Sequence, residues 1–253
     1  MSVSKAKQKY IRSLKEKKFR NEHGVFVAEG YKIVSELLAV YPCKLLVATQ
    51  DFIDNNKNII NVEELVVVSD DELTKVSFLQ SPQQVLAIFV QPQDILSFDP
   101  DKELILVLDC VQDPGNMGTI MRLADWYGIN HIVCSRDSAD IYNPKTVQAT
   151  MGAIARVRVH YTDLQELLSK YKDTPIYGTF LDGGNMYEQP LSPNGIIVMG
   201  NEGKGISPEI ERWVTNKLFI PNYPPERATS ESLNVAIATG IICAEFRRRS
   251  LLH

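Results

Sequence analysis

Continuous apolar runs alternate with amphipathic segments through the second half of the chain. The run ELILVLD at 103–109 lacks polar alternation, which is typical of a parallel strand covered on both faces. Apolar residues at helical spacing follow in MGTIMRLADWYG and stop at Gly128, and NHIVCS is a second strand. The pattern predicts a β-α-β unit. Further strands are predicted at ARVRVHY, PIYGTFL, GIIVMG and KLFIP, and helices at 144–155, 163–172 and 232–249.

This order of elements favours an α/β fold with an open, mostly parallel sheet between helices. The first part of the chain is predicted to be a smaller α/β unit. After a basic helix it has a strand at VFVAEG, a helix through YKIVSELLAVY, and strands at KLLVAT, ELVVVS and QVLAIFV. Prolines and aspartates without a sustained period predict a linker at 96–102. We therefore expect two domains, at 1–95 and 103–253.

The composition is that of an ordinary globular protein. With 253 residues and 44% hydrophobic residues, the chain can bury a real core. No apolar run approaches the ~20 residues of a membrane helix, and the N-terminus lacks the apolar stretch of a secretory signal. We expect a cytoplasmic location and no membrane partner. The four cysteines lack a Cys-x-x-Cys pair and the four histidines are isolated, so we expect no disulfide framework and no metal.

Positive charge is concentrated at the start of the chain. The formal net charge of −4 argues weakly against a nucleic-acid partner. Basic residues nevertheless crowd the first twenty positions, opposed there only by Glu16: Lys5, Lys7, Lys9, Arg12, Lys15, Lys17, Lys18 and Arg20. Such clustering can supply a phosphate-binding surface on an acidic protein. A solvated helix face or a flexible basic tail is the alternative.

Three separated segments each lead out of an apolar, strand-like run. They are DPGNMGTIMRLADWYG, IIVMGNEGKGIS and IPNYPPERATSESLNVAIATG, beginning at Asp113, Ile196 and Ile220. In each, glycines or prolines surround a few polar side chains, namely Asn116 and Arg122, Asn201 and Glu202, and Ser232 and Asn234. Glycine lets the main chain approach a ligand closely, so this composition suits a site built from backbone. The glycine spacing does not fit a dinucleotide fingerprint, and no phosphate loop occurs, which disfavours a dinucleotide oxidoreductase or an NTPase.

The order and wording of the three segments resemble the motifs of the SpoU (TrmH) family of RNA 2′-O-methyltransferases, in the SPOUT class. The resemblance covers roughly Glu103 to the C-terminus. It implies S-adenosyl-L-methionine as cofactor, a C-terminal deep trefoil knot, and a homodimer with each site near the interface. It also implies that Gly200 and Ile220 line the adenosine pocket largely through backbone atoms, with Leu233 beside them. Plain packing at strand ends is the alternative for these three residues.

Arg122 matches the position of the family's essential arginine, which is often proposed to deprotonate the ribose 2′-hydroxyl. A guanidinium with a pKa above ~12 is almost always protonated, so that role is chemically awkward. Two mechanisms stay open. In the first, a phosphate of the substrate positions Arg122 and tunes its pKa so that it acts as a base. In the second, Arg122 binds the phosphate while another acceptor takes the proton.

The other polar residues of the motifs are expected to organise the site. Asn116 is suited to bond neighbouring backbone and the loop of the second motif, and Glu202 to orient Arg122 or its partner across the dimer. Ser232 and Asn234 begin the last predicted helix, where they either cap its free N–H groups or hold RNA phosphate and ribose. We expect both roles. Catalysis would rest on alignment of the methyl donor and the hydroxyl, with no metal required.

The third motif departs from the family pattern. Between Ile220-Pro221 and Ser232 the family usually has a short link, whereas this chain inserts NYPPERATSE, from Asn222 to Glu231. Pro224 and Pro225 stiffen the insertion, and Glu226 and Arg227 add charge. We expect it to reshape the RNA entrance or the methionine end of the pocket.

The N-terminal domain resembles the RNA-binding extension of many family members, a fold like that of certain ribosomal proteins, on the segment FVAEGYKIVSELL. The resemblance implies that this domain binds structured RNA and that Lys9, Arg12 and Arg20 contribute to RNA affinity. A packing or dimerisation domain is the alternative. We thus expect methylation of a ribose 2′-hydroxyl in ribosomal RNA, or otherwise in transfer RNA. The alternative is a non-catalytic RNA-binding protein that retains the fold.

Overall fold

The computed structural model describes residues 3–93, 97–224, 227 and 232–251. The chain divides into two compact units. The first contains Met1–Gln93 and Asp140–Ala155, and the second contains Asp94–Ala139 and Arg156–His253. Within the described residues, no helix has both the length and the apolar character needed to cross a membrane.

The first unit is built on a four-stranded mixed sheet. Its strands are β1 (Val25–Glu29), β2 (Cys43–Ala48), β3 (Leu65–Val67) and β4 (Val85–Val90), in the order β1-β4-β2-β3. Strand β4 runs antiparallel to β1 and β2, whereas β2 and β3 are parallel. The helices are α1 (Lys5–Ser13), α2 (Lys17–His23), α3 (Tyr31–Leu38), α4 (Gln50–Asn56) and α5 (Asp70–Thr74). The four strands predicted for this part of the chain are confirmed.

The second unit is built on a six-stranded sheet in which every neighbouring pair is parallel. Its strands are β5 (Leu104–Leu108), β6 (His131–Ser135), β7 (Arg158–Thr162), β8 (Ile176–Asn185), β9 (Gly195–Met199) and β10 (Asn216–Phe219). The order is β10-β8-β9-β5-β6-β7. Every residue of β5 and β9 is buried, as their continuous apolar sequences predict. The prediction of an α/β fold with a mostly parallel sheet is confirmed.

Helices cover this sheet and connect its strands. They are α6 (Pro114–Trp126), α8 (Leu164–Lys170), α9 (Pro208–Glu211) and α10 (Val235–Ser250). Helices α6 and α10 pack against each other, and Gly240 of α10 lies beside the Leu123 side chain. Phe98, which falls in the expected linker 96–102, packs against the core of this unit. Residue 96 lies outside the described residues.

The segment Asp140–Ala155 departs from the expected division into two continuous domains. It was expected in the second domain, but it packs with the first unit because its helix α7 (Pro144–Thr150) lies against β1. The helix predicted at 144–155 is also shorter than expected. Met151 (φ 51°) and Gly152 (φ 97°) adopt left-handed conformations that end it, and a short 3-10 turn follows at Ala153–Ala155.

Candidate active site

The first motif is the turn from β5 into α6, where Asp113 caps the helix. Its carboxylate accepts a hydrogen bond from the Asn116 N–H at 2.8 Å, and Pro114 occupies the first helical turn. An aspartate cap satisfies an otherwise unpaired donor, and proline suits this position because its missing N–H would have no helical partner. The local sequence therefore fixes Asn116 in the first turn of α6. Sequence reasoning missed Asp113, although Asp-Pro at a helix start signals such a cap.

A chain of side-chain hydrogen bonds joins all three motifs. Asn116 Nδ2 donates to Glu202 Oε1 at 3.0 Å, and Asn234 Nδ2 donates to Asn116 Oδ1 at 3.0 Å. Glu202 also accepts from the backbone N–H groups of Gln112 (3.4 Å) and Asp113 (3.2 Å). The Asn116 amide is thus held on both sides, with one atom bonded to the second motif and the other to the third.

The loop of the second motif is held mainly through main-chain atoms. Asn201 Nδ2 donates to the Cys110 carbonyl at 2.7 Å, and Asn201 Oδ1 accepts from the N–H groups of Gly203 (3.0 Å) and Lys204 (3.1 Å). Asp109, directly after β5, accepts a hydrogen bond from the Ser207 N–H at 2.7 Å. Asp109 was not anticipated as a positioning residue. The signal in the sequence is a single carboxylate placed directly after a buried apolar strand.

Asn234 is the N-cap of α10. Its Oδ1 accepts hydrogen bonds from the N–H groups of Ala236 (2.9 Å) and Ile237 (3.3 Å), so the capping role is confirmed. The helix begins at Val235, three residues later than predicted, because Asn234 itself supplies the cap. Ser232 is exposed and makes no hydrogen bond to a described residue. The predicted capping role is therefore not seen for Ser232, and its role at the substrate stays a prediction.

Arg122 lies apart from this hydrogen-bonded chain. It is exposed on α6, on the same helix face as the exposed residues Thr119 and Trp126, at spacings of three and four residues. Its guanidinium makes no hydrogen bond or ion pair with any described residue. The structure therefore does not bring Arg122 and Glu202 together within one chain. The guanidinium is accessible to a substrate or to another chain.

Comparison with known proteins shows which family has these three motifs. The profile of the SpoU rRNA Methylase family matches residues 103–244. The chain belongs to the SpoU family. The first part of the chain matches a second profile, the MRM3-like substrate binding domain, over residues 5–87.

Several relatives of this SpoU-family chain match it over nearly its whole length. The 23S rRNA (guanosine(2553)-2′-O)-methyltransferase RlmP of Bacillus subtilis is 29% identical, over 97% of this chain and 98% of its own. The structure of a TrmH-family protein from Porphyromonas gingivalis is 40% identical, with a TM-score of 0.89 over 98% of this chain and 100% of that one. The AdoMet-bound rRNA methyltransferase from Sinorhizobium meliloti is 28% identical, with a TM-score of 0.84 over 98% and 97% of the chains.

The residues predicted for the cofactor lie at the carboxyl ends of strands in the SpoU-family domain. Gly200 directly follows β9, and Ile220 directly follows β10. Neither the Gly200 N–H nor the Ile220 main-chain groups bond to a described residue. Leu233, just before α10, has a side chain that is 48% exposed. The main-chain groups of Gly200 and Ile220 can bond to the polar edge of a base, and the Leu233 side chain can cover the apolar face of its ring.

The insertion between Ile220 and Ser232 is described only in part. Asn222 Nδ2 donates to the carbonyls of Arg227 (3.2 Å) and Pro224 (3.4 Å). Pro225, Glu226 and residues 228–231 lie outside the described residues. The effect of the insertion on the cofactor pocket stays a prediction. Among the described residues, no group of histidine, cysteine, aspartate or glutamate side chains could hold a metal ion.

The three residues predicted to bind RNA differ in their surroundings. Lys9 and Arg12 are exposed on α1, and Arg12 also donates to the Lys75 carbonyl at 2.9 Å. Arg20 was expected at the surface, but only 1% of it is exposed. Its guanidinium donates to the carbonyl of Leu14 (2.8 Å) and pairs with Asp140 (2.7 Å). Arg20 therefore holds the first unit together and has no free face for RNA.

Glu202 has electrostatic surroundings that make the motif contacts dependent on pH. Burial raises its pKa, but the hydrogen bonds from Asn116 and from backbone N–H groups outweigh burial and leave the pKa below its ordinary value. A depressed pKa means that the charged carboxylate contributes stability above the ordinary pKa of glutamate. This contribution is lost as the pH falls through the lower pKa of the folded state.

The variant Glu202→Gln is expected to lower the free energy of unfolding by about 1–2 kcal/mol at neutral pH, because it removes the charge from several hydrogen bonds. The difference from wild type should shrink as the pH falls below the ordinary pKa of glutamate and through the lower pKa of folded Glu202, where the wild-type carboxylate also becomes neutral. Thermal unfolding measured across pH checks both statements. Glu209→Gln, at an exposed position on α9, is the matched control. A difference that persists unchanged in acid would contradict the assigned role of the charge.

Proposed function

We propose that this protein transfers the methyl group of S-adenosyl-L-methionine to a ribose 2′-hydroxyl of ribosomal RNA. The observation that carries the proposal is the hydrogen-bonded chain from Glu202 through Asn116 to Asn234, which unites the three family motifs in one site. RlmP of Bacillus subtilis, which matches nearly the whole chain, is named for this reaction on guanosine of 23S rRNA. The related protein from Sinorhizobium meliloti holds AdoMet.

S-adenosyl-L-methionine supplies an electrophilic methyl group on a sulfonium centre. The main-chain groups of Gly200 and Ile220, with the Leu233 side chain, would hold the adenosine part. The bonds from Asn116 to Glu202 and Asn234 fix the three loops relative to one another, so that donor and hydroxyl meet in one geometry. Such alignment can supply a large share of the rate acceleration without a metal.

Arg122 completes the site from the exposed face of α6. Both roles of Arg122 remain in the proposal. It either accepts the proton, with its pKa tuned by a substrate phosphate, or it binds that phosphate. An exposed guanidinium without a described protein partner is available to a phosphate, and this favours the clamp. In either role Arg122 acts on the RNA and leaves the hydrogen-bonded chain of Asn116 unchanged.

The reaction is tested with a labelled methyl group on S-adenosyl-L-methionine and with ribosomal and transfer RNA that lack their native modifications. The expected result is label in 2′-O-methyl nucleotides of ribosomal RNA. Label confined to transfer RNA would keep the chemistry and change the substrate. Absence of label, in spite of cofactor and RNA binding, would favour a non-catalytic RNA-binding protein.

We further propose that the second unit carries the family's trefoil knot and forms a homodimer, whose second chain faces Arg122. Family membership supports the knot. Most of the apolar face of α10 is internal core, but Ile237 on α10 remains 58% exposed and Trp126 on α6 remains 83% exposed. Large apolar side chains on neighbouring helices suit a contact with a second copy.

The double variant Trp126→Glu with Ile237→Glu is expected to convert the dimer into a monomer, because it would bury two charges on each side of the contact. Light scattering measures the change in mass. Leu181→Glu, at a position that is 73% exposed on β8, is the control and should leave the mass unchanged. A wild-type protein that is strictly monomeric would contradict this arrangement.

A cytoplasmic location also stays part of the proposal.

We also propose that the first unit binds the RNA, with Lys9 and Arg12 contacting phosphates. The match to a substrate binding domain and the exposure of both side chains support this role. The variant Lys9→Ala with Arg12→Ala should reduce the slope of log K against log salt by up to about 2, close to one for each phosphate contact. Filter binding at several salt concentrations measures the slope. Lys57→Ala, which removes an exposed lysine of the same unit, should leave the slope unchanged, and an equal loss in this control would argue against a specific surface.

A further inference from the structure

The first unit contains a cavity that the methyl-transfer site does not use. Its volume is about 390 Å³, which falls within the ~300–1,000 Å³ of small-molecule pockets. All of the described residues that line it belong to the first unit. They combine apolar walls with amides, two lysines and one carboxylate: Lys15, Val27, Glu29, Phe78, Leu79, Asn143, Pro144, Lys145 and Gln148.

The carboxylate is Glu29, the last residue of β1, which is only 5% exposed. Its Oε1 accepts a hydrogen bond from the Phe78 N–H at 2.9 Å, and its Oε2 accepts one from the Ser77 hydroxyl. An ionised carboxylate has about four acceptor sites, so each oxygen keeps capacity for one more donor. Burial raises the pKa of Glu29 above its ordinary value, and the hydrogen bonds from Ser77 and Phe78 and the charge of Lys15 offset this rise only in part. A ligand that brings further donors would offset the cost of burial.

The walls of the cavity suit a flat ring. Val27, Leu79 and Pro144 are apolar, and Phe78 contributes an aromatic ring. The Lys15 ammonium lies 4.9 Å from the centroid of this ring. Lys15 is exposed on a flexible side chain, so it can leave the ring face to a stacked base and pair with the adjoining phosphate.

We propose that this cavity binds an unstacked guanine of the substrate RNA, with its Watson–Crick edge against Glu29. Guanine presents two parallel donors, N1–H and the N2 amino group, which match the two oxygens of one carboxylate. Adenine and cytosine place an acceptor beside their amino group, and uracil places carbonyls on both sides of its single N–H. The proposal deepens the proposed function, because it takes the substrate to be RNA and names a nucleotide that the first unit selects.

The first test compares binding of 5′-GMP, 5′-IMP and 5′-AMP to the full chain by NMR titration. Inosine keeps N1–H but lacks the 2-amino group, so it tests one of the two bonds. We expect GMP to bind at least about tenfold more tightly than AMP, with IMP between them, since each bond to a charged acceptor contributes about this factor. Glu29→Gln should abolish the preference for GMP, because its amide replaces one acceptor by a donor. Glu22→Gln, at an exposed position on α2, should keep it.

Equal binding of the three nucleotides to the wild type, or no binding, would overturn the proposal whatever the variants do. In methyl-transfer assays, Glu29→Gln should raise the KM for RNA about tenfold with kcat unchanged. A loss of kcat instead would place Glu29 in folding or chemistry and overturn the proposal. Failure of the proposed function is recognised separately. In that case the wild type transfers no methyl group to RNA, while the preference for GMP and its loss in Glu29→Gln persist.

Discussion

Arg122→Ala is expected to lower kcat for methyl transfer by about 10²–10⁴-fold, the range for a residue that acts directly on the reacting proton or its phosphate neighbour. The fold should survive, because Arg122 is exposed and makes no hydrogen bond or ion pair with a described residue. Single-turnover transfer of a labelled methyl group to RNA measures the loss. Arg158→Ala, at an exposed position on β7, is the matched control and should retain activity.

The variant Arg122→Lys separates the two mechanisms. A lysine keeps the positive charge but loses the bidentate fork of arginine, so a phosphate clamp would persist with a raised KM for RNA. A base role predicts instead that the rate of the lysine variant rises with pH as its ammonium loses a proton. Full activity of Arg122→Ala, with cofactor and RNA bound normally, would remove Arg122 from the chemistry altogether.

The convergence of the three motif segments was largely predictable because each segment is short and has strong local signals. Buried apolar runs predict parallel strands, and parallel strands place their carboxyl ends at one edge of a sheet. The Asn116 and Glu202 positions could therefore be expected near each other, although 86 residues separate them. The bonds themselves could not be predicted, since they depend on the strand order β10-β8-β9-β5 and on the angle at which α10 begins.

The environment of Arg20 shows what sequence pattern does not reveal. Its place in a run of basic residues predicts a surface charge, but its partner Asp140 lies 120 residues away. That partner reaches Arg20 because Asp140–Ala155 packs with the first unit, which neither composition nor periodicity indicates. A local charge pattern indicates the class of partner that a charged surface suits. It does not report which side chains tertiary packing has already used.

The second large effect concerns Gly200, whose replacement is expected to disrupt the loop of the second motif. An alanine Cβ at this position would lie 2.5 Å from the Gly205 carbonyl oxygen and still closer to other backbone atoms of Gly205 and Ile206. Backbone cannot rotate away as a side chain does, so the loop must move. Overpacking of this kind costs about 1–3 kcal/mol, and here it also separates the paired main chains of Asn201 and Gly205.

Gly200→Ala should therefore lower the melting temperature and abolish binding of S-adenosyl-L-methionine, measured by scanning and titration calorimetry. Gly203→Ala in the same loop is the matched control. Its Cβ would meet only the Asn201 Oδ1, at an ordinary contact distance of 3.7 Å, so stability and binding should stay near wild type. Equal losses in both variants would show that the loop tolerates no change, whereas normal cofactor binding by Gly200→Ala would refute the close packing as a requirement of the site. The two glycines lie in the same loop, three residues apart, so both variants reduce the flexibility of that loop. Only Gly200→Ala also places a Cβ against backbone, so the difference between the variants measures the effect of this close backbone contact.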